Sequence, residues 1–296
     1  LSHSSHNGST PNSGTANPLT IGVRDSGVGG LTVAREIKKQ IPRARLLYFA
    51  DTAHVPYGDR APGEVRYFAL SITEFLIAQG AQIVVFACNT SSAYALQIAK
   101  KRFSIPLFGM IEPGARAALE ANASTPAAPI GVLATSATIH SRMYARWIEN
   151  LQSENSIKTQ AIEIACPRFV PLVESEQVNT PAARAACEEY LQPVLQAGAR
   201  TVILGCTHYP LLLPMLKKIA PQINFVDPAQ FLAREIAALV ASGVLPASNE
   251  ADQFFVSGPR AGVESWIVKL LDNDAPQICA GPVFTPTPDK NYATIR

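Results

Sequence analysis

The chain has 296 residues, enough for about two domains at roughly 150 residues each. Its 47% hydrophobic and 16% charged content supports a large buried core and excludes a disordered or fibrous protein. Lys and Arg (25) against Asp and Glu (23) leave +2, so no global field recruits nucleic acid or an anionic membrane, and 7% aromatics without basic interleaving point the same way.

No uncharged apolar run approaches the roughly 18 residues of a spanning helix, so a soluble globular protein without a membrane partner is expected. Five cysteines without a CxxC spacing suggest neither a disulfide framework nor a ribbon-type zinc site; a reducing compartment fits best. Residues 1–17 are rich in Ser, Asn, Gly, Thr and Pro, without Lys, Arg or an apolar core. They are expected to form a disordered N-terminal extension rather than a secretory signal, and a cytoplasmic location follows as the expectation.

From Leu19 onward, short apolar runs alternate with amphipathic stretches. Strands are predicted at 19–23, 45–50, 82–87, 105–110, 129–134, 201–205 and 223–226, with another ending near Cys166. Helices are predicted at 31–41, 64–79 and 136–151, and Thr180 before Pro181 has the pattern of an N-cap with proline at the first helical position. Near-continuous apolar strands alternating with helices predict an α/β fold with mostly parallel, doubly wound sheets.

The chain also echoes itself. Ile21-Gly22-Val23-Arg24-Asp25-Ser26 returns as Ile130-Gly131-Val132-Leu133-Ala134-Thr135, and Val84-Val85-Phe86-Ala87-Cys88-Asn89-Thr90 returns as Val202-Ile203-Leu204-Gly205-Cys206-Thr207-His208. The two echoes have similar but unequal offsets, which one loop insertion absorbs. Two similar α/β halves are therefore expected, each carrying a cysteine at a strand's carboxyl end, where ligands bind in open α/β sheets.

A strand-to-helix turn aims free N–H groups and the positive end of the helix dipole at whatever occupies it. Cys88 and Cys206 so placed are expected to have lowered pKa values and to serve as bases or nucleophiles. Asn89, Thr90 and Thr207 supply donors suited to a carboxylate, and His208 can tune the Cys206 thiol or move a proton. Asp25-Ser26-Gly27-Val28-Gly29-Gly30 is neither a dinucleotide fingerprint nor a P-loop; its glycines serve a tight turn and close backbone approach. Asp51 with His54-Val55-Pro56-Tyr57-Gly58 forms a second loop at a similar level, offering a phenol and a bare backbone N–H, or simply a turn. Cys166, Cys187 and Cys279 are expected to be structural, and no clustered metal-ligand spacing occurs.

The motifs DSGVGG (25–30), VPYGDR (55–60), ACNT (87–90), ATSAT (134–138), ACPRFVPLVE (165–174) and LGCTHYPLL (204–212) resemble those of glutamate racemases, in the cofactor-independent aspartate/glutamate racemase superfamily. The match runs in order from about Ile21 to Ala233. It implies two pseudo-symmetric α/β domains facing each other across the active site, residues 18–112 with 225–296 and residues 113–224. It also implies interconversion of L- and D-glutamate without a cofactor or metal, supplying D-glutamate for peptidoglycan synthesis and hence for cell wall and cell shape. By that resemblance Cys88 and Cys206 flank the substrate Cα, Asp25 assists Cys88, and His208 assists Cys206 with Glu174 nearby. Asp25-Ser26, Tyr57-Gly58, Asn89-Thr90 and Thr207-His208 match the substrate-binding pairs, and Thr135 is an additional contact. The partner implied is glutamate, with a homodimer left open.

One residue departs from the pattern: the family usually has an aromatic or apolar residue immediately before the aspartate, where this chain has Arg24. Its side chain could reach solvent, pair with a carboxylate or perturb the strand end. Pairing with Asp25 would hold that aspartate ionised. The alternatives to glutamate racemisation are another reaction of the same superfamily, such as aspartate racemisation, and a hydrolase in which His208 activates Cys206 as nucleophile. A non-catalytic acid-binding protein would keep the pocket but tolerate loss of both thiols.

Overall fold

A computed structural model describes residues 18–152, 158–242, 248, 250–260 and 262–286. The proposed extension at 1–17 lies outside these. In chain order the first half forms β1 (Thr20–Asp25), α1 (Leu31–Gln40), β2 (Arg45–Ala50), α2 (Pro62–Ala78), β3 (Ile83–Phe86), α3 (Asn89–Arg102), β4 (Leu107–Gly109) and α4 (Ile111–Ala121). There follow β5 (Ile130–Ala134), α5 (Ser136–Ser141), α6 (Met143–Asn150), β6 (Ala161–Ala165), α7 (Phe169–Glu174), α8 (Pro181–Gln196), β7 (Thr201–Gly205), α9 (Leu213–Ile219) and β8 (Asn224–Val226). The chain closes with α10 (Pro228–Ser242), β9 (Gln253–Val256), α11 (Val263–Leu271) and β10 (Gln277–Ala280).

Two parallel sheets result. One has the order β10-β9-β2-β1-β3-β4 and the other β6-β5-β7-β8. The segment β2-β1-β3-β4 and the whole second sheet share one order, so β1 corresponds to β5 and β3 to β7, as the internal echo requires. In each sheet the chain leaves the β1 or β5 position to opposite sides, which opens a crevice at the carboxyl ends of the central strands. Those ends carry Asp25 and Cys88 in the first sheet, and Ala134 and Cys206 in the second. The C-terminal strands β9 and β10 extend the first sheet beyond β2. Because β8 pairs with β7 through Val226, the crossover out of the second sheet follows that residue, so a division at 224/225 cuts through a strand.

The pleat sends alternate residues to opposite faces. Along β1, Ile21 and Val23 enter a large apolar cluster that continues through Leu232 and Ile236 of α10 to Val202 and Leu204 of β7. The opposite face, under α2 and α3, packs Leu47, Phe49, Val84, Phe86 and Phe68. A third cluster joins Ile130 and Val132 of β5 to Tyr144 and Ile148 of α6.

The helix predicted at 136–151 is two helices, because Arg142 adopts φ 57° and breaks the ladder. Periodicity cannot reveal such a break, since both halves bury the same kind of face. Thr180 caps α8 as predicted, its hydroxyl accepting from the Ala183 N–H at 3.2 Å. No helix among the described residues is long and apolar enough to cross a membrane.

Candidate active site

The two central strand ends of each sheet meet over a cleft of about 320 Å³. Ser26, Tyr57, Gly58, Cys88, Asn89 and Thr90 line it from the first sheet's side; Thr135, Cys206, Thr207 and His208 line it from the second. Ten of the twelve residues singled out in the sequence thus share one cavity wall. Asp25 lies just behind Thr207, and Glu174 reaches the cleft through His208.

Cys206 follows β7, and its neighbour His208 turns back so that Nδ1 lies 3.7 Å from Sγ. The other ring nitrogen, Nε2, is 2.7 Å from Glu174 Oε1 on α7. Burial works against a charged imidazole here, but hydrogen bonds to Cys206 and Glu174, reinforced by their charges, raise His208 to about 10. As an imidazolium it donates from both nitrogens, one proton to the sulfur and one to the carboxylate.

Cys88 occupies the N-cap of α3, with φ −65° and ψ 120°. The expected lowering of its pKa is overturned: burial and then the Asp25 carboxylate push the thiol up to about 11. The Arg24 guanidinium and the Ser91 N–H oppose that rise without cancelling it. Desolvation outweighs the helix terminus because Cys88 is only 6% exposed. Among the other cysteines, burial pushes Cys166 well up and Cys187 up to about 12, as suits inert packing groups.

Asp25 is buried, accepting the Gly27 N–H at Oδ2 (3.1 Å) and the Thr207 hydroxyl at Oδ1 (3.4 Å). Burial raises its pKa, against the charge of His208 and the Gly27 N–H. The glycine loop between β1 and α1 is needed for close approach rather than unusual backbone angles, since none of Gly27, Gly29 and Gly30 has positive φ. A Cβ at Gly29 would lie 2.4 Å from both His208 Nδ1 and Thr207 Oγ1. The glycines therefore let the loop after β1 seat against the Thr207-His208 turn after β7.

Thr90 joins Thr135 at 2.9 Å and Thr138 at 3.1 Å, a hydroxyl cluster between α3 and the start of α5. Asn89 accepts the Tyr144 phenol at Oδ1 (2.7 Å), while Nδ2 has no partner among the described residues. That amide is a buried donor at the cavity wall. Thr138 and Tyr144 escaped the sequence reading because helical neighbours of a site carry no local signature.

Of the two readings left open for Tyr57, a phenol offered to the cleft or a simple turn, the phenol is engaged elsewhere. Its hydroxyl donates to Asp51 Oδ2 at 2.5 Å, and Asp51 Oδ1 also receives Ser257 Oγ (2.7 Å) and meets His54 Nδ1 (2.8 Å). The tyrosine is thereby held from behind, and what it offers the cleft is ring and backbone.

Arg24 follows none of its three anticipated courses. It is fully buried at 0% exposure, and it makes no ion pair among the described residues. Ladder pairing runs unbroken through Arg24 to both neighbours. Alternation along β1 turns it to the face opposite Asp25, where its guanidinium carbon sits 5.1 Å from the Phe86 ring centre and 5.7 Å from that of Tyr57. Burying a cation without a counter-ion is costly, and the two ring faces offset part of that cost. Among the described residues, no cluster of three or more His, Cys, Asp or Glu side chains is arranged to hold a metal.

Two sheets that share a four-strand order, each delivering a cysteine to a common cleft, define the class: a protein of two similar α/β halves built around one site. The Asp/Glu/Hydantoin racemase family profile matches residues 30–236. The chain is 46% identical to a glutamate racemase of Desulforudis audaxviator over 216 residues, covering 73% of this chain and 77% of that one. It is 42% identical to one from Geobacter metallireducens, covering 82% and 88%. The chain belongs to the Asp/Glu/hydantoin racemase family, among its glutamate racemases. The crystal structure of glutamate racemase isoform RacE1 from Bacillus anthracis superimposes with a TM-score of 0.82 at 33% identity, covering 90% of this chain and 98% of that one. The Francisella tularensis glutamate racemase in complex with D-glutamate gives 0.80 at 28% identity, covering 90% and 98%.

Proposed function

We propose that this chain interconverts L- and D-glutamate by proton transfer at Cα between Cys88 and Cys206, without a cofactor. The observation that carries the reading is the delivery of one thiol from each sheet to a single cleft. One cysteine, as thiolate, takes the Cα proton; the electron pair left on carbon delocalises into the α-carboxylate. The other cysteine, as thiol, gives its proton to the opposite face and becomes the thiolate. The enzyme ends each turnover with its proton on the other sulfur, ready for the product enantiomer.

Removing a proton beside a carboxylate builds negative charge that must be met by donors already in place. The free Asn89 amide, the Thr90 and Thr207 hydroxyls, Ser26 and the first N–H groups of α3 suit the substrate's carboxylates. His208 and Glu174 hold Cys206 ready to exchange a proton, and Asp25 serves the Cys88 side. Thr135 and Gly58 complete the wall. The domain division at 18–112 with 225–296 and 113–224, its second boundary moved past Val226 at the end of β8, a homodimer, a cytoplasmic location and the supply of D-glutamate for cell wall synthesis belong to the same reading.

Incubating L- and D-glutamate separately in deuterated water tests it. Deuterium should enter Cα of the product from either enantiomer, and Cys88→Ser and Cys206→Ser should each slow racemisation by about 10²–10⁴-fold. Full activity in either variant would sink the two-thiol scheme. Faster turnover of aspartate than of glutamate would move the substrate assignment, and a covalent adduct trapped on Cys206 would indicate a hydrolase.

A further inference from the structure

Arg24 is a buried cation that pairs with no carboxylate among the described residues. Its Nε and Nη1 have no hydrogen-bond partner among the described residues, and Nη2 makes only a 3.5 Å contact with the Tyr57 hydroxyl. Strand packing does not demand the charge, since Leu133 fills the matching position of the second half. Arg24 pairs in register with Phe86 on β3, and Phe86 and Cys88, two residues apart, belong to the same apolar cluster as Tyr57. The guanidinium therefore lies in a water-poor layer beneath the Cys88 end of the strand, where an unscreened charge acts strongly.

We propose that Arg24 is a positioning residue for Cys88: its uncompensated positive charge makes the buried sulfur's anionic form accessible during turnover, the part His208 plays for Cys206. This rests on the reading of Cys88 as a proton-carrying thiol. The other titratable groups around Cys88 cannot take the role. Asp25 on β1, Asp51 just after β2 and Glu174 on α7 are acids; Tyr48 on β2, Tyr57 in the loop before α2 and Tyr67 on α2 are buried phenols, and Cys206 after β7 is a thiol whose charge would oppose an anion at Cys88. His54 is committed to Asp51, and His208 to Cys206 and Glu174. The direction of Arg24's influence agrees, for among the effects on the Cys88 thiol it is the first that opposes burial and Asp25.

The test compares the full chain with Arg24→Met, Arg24→Leu and Arg24→Lys. The rate of iodoacetamide alkylation is followed across pH at Cys88 and Cys206 separately by peptide mass spectrometry. In the neutral variants the Cys88 profile should move up by about one pH unit, slowing alkylation roughly 3- to 10-fold on its rising limb. Arg24→Lys should keep most of the wild-type rate, and Cys206 should be unchanged throughout. kcat for glutamate should fall in the neutral variants while KM holds. An unmoved Cys88 profile in a folded neutral variant would overturn the proposal, as would equal slowing at both cysteines. So would failure of both neutral variants to fold, which would make Arg24 a structural residue. The underlying reading is judged apart, by racemisation in Cys88→Ser: if that variant is inactive while alkylation ignores Arg24, only the role of Arg24 falls.

Discussion

His208 Nδ1 stands 3.7 Å from Cys206 Sγ while its Nε2 stands 2.7 Å from Glu174 Oε1, so one ring links the second domain's thiol to a carboxylate at the edge of the cleft. Glu174 is a third exposed, so one end of this line of contacts meets solvent while Cys206 stays buried. Replacing Glu174 by Gln keeps the hydrogen-bonding shape but removes the charge that helps keep the imidazole protonated. We expect kcat to fall about 10²-fold. The Cys206 alkylation profile should move upward and that of Cys88 should hold; equal shifts at both would refute the assignment.

The same ring makes stability depend on pH. His208 is raised from its ordinary value near 6.5 to about 10, so the folded protein holds a proton that the unfolded chain releases in between. Its stabilisation is complete below about pH 6.5 and declines as pH rises toward about 10. Cys88, raised to about 11, adds loss of the same sign above the free-thiol range. Denaturant midpoints measured from pH 6 to 10 should fall with pH, and less steeply in His208→Gln. Equal slopes in the two proteins would show that His208 is not the group responsible.

Gly29→Ala should be harmful out of proportion to its size. The new methyl would sit 2.4 Å from His208 Nδ1 and Thr207 Oγ1, so two side chains that line the cleft must both give way. The interdomain seat must shift, and a displacement near 1 Å at a catalytic group costs about 100-fold in rate. The expected loss of stability is about 1–3 kcal/mol. Wild-type kinetics in this variant would mean that the loop and the His208 turn are not held in contact.

Tyr144→Phe removes the donor that holds Asn89 Oδ1 and leaves the amide free to turn away from the cleft. KM for glutamate should rise several-fold, with a stability loss of about 1–2 kcal/mol from the unpaired buried oxygen. An unchanged KM would place Asn89 outside substrate binding.

Thr180→Ala provides the contrast. It removes the N-cap of α8, and neither Thr180 nor Ala183 lines the cleft, so it should cost about 1 kcal/mol in denaturation while leaving kcat and KM as they are.

Much of the architecture was written locally. The apolar runs at 45–50 and 201–205 are β2 and β7 to the residue, because strands buried on both faces need unbroken apolar sequence and stop where polar residues begin. The repeated strand–cysteine motif indicated two halves, and strand order confirms the correspondence. β9 and β10 carry weaker patterns: β10 lies at the sheet edge and is only partly buried, so fewer of its positions are compelled to be apolar. The break at Arg142 was hidden for a similar reason, as a left-handed residue changes direction without interrupting amphipathic spacing.

What the chain's own sequence determined was the repertoire: which residues end buried strands, and that two cysteines with neighbouring hydroxyls occupy equivalent turns. Only the tertiary structure decided their electrical state and their company. Burial raised the Cys88 thiol where a helix terminus alone would have lowered it, and a hydrogen bond to Asp51 took up the Tyr57 hydroxyl. Arg24 was turned by the pleat of β1 away from its neighbour Asp25 and into an aromatic layer. Each outcome depends on desolvation and on contacts between residues distant in the chain, and neither quantity exists until the two halves have closed on one another.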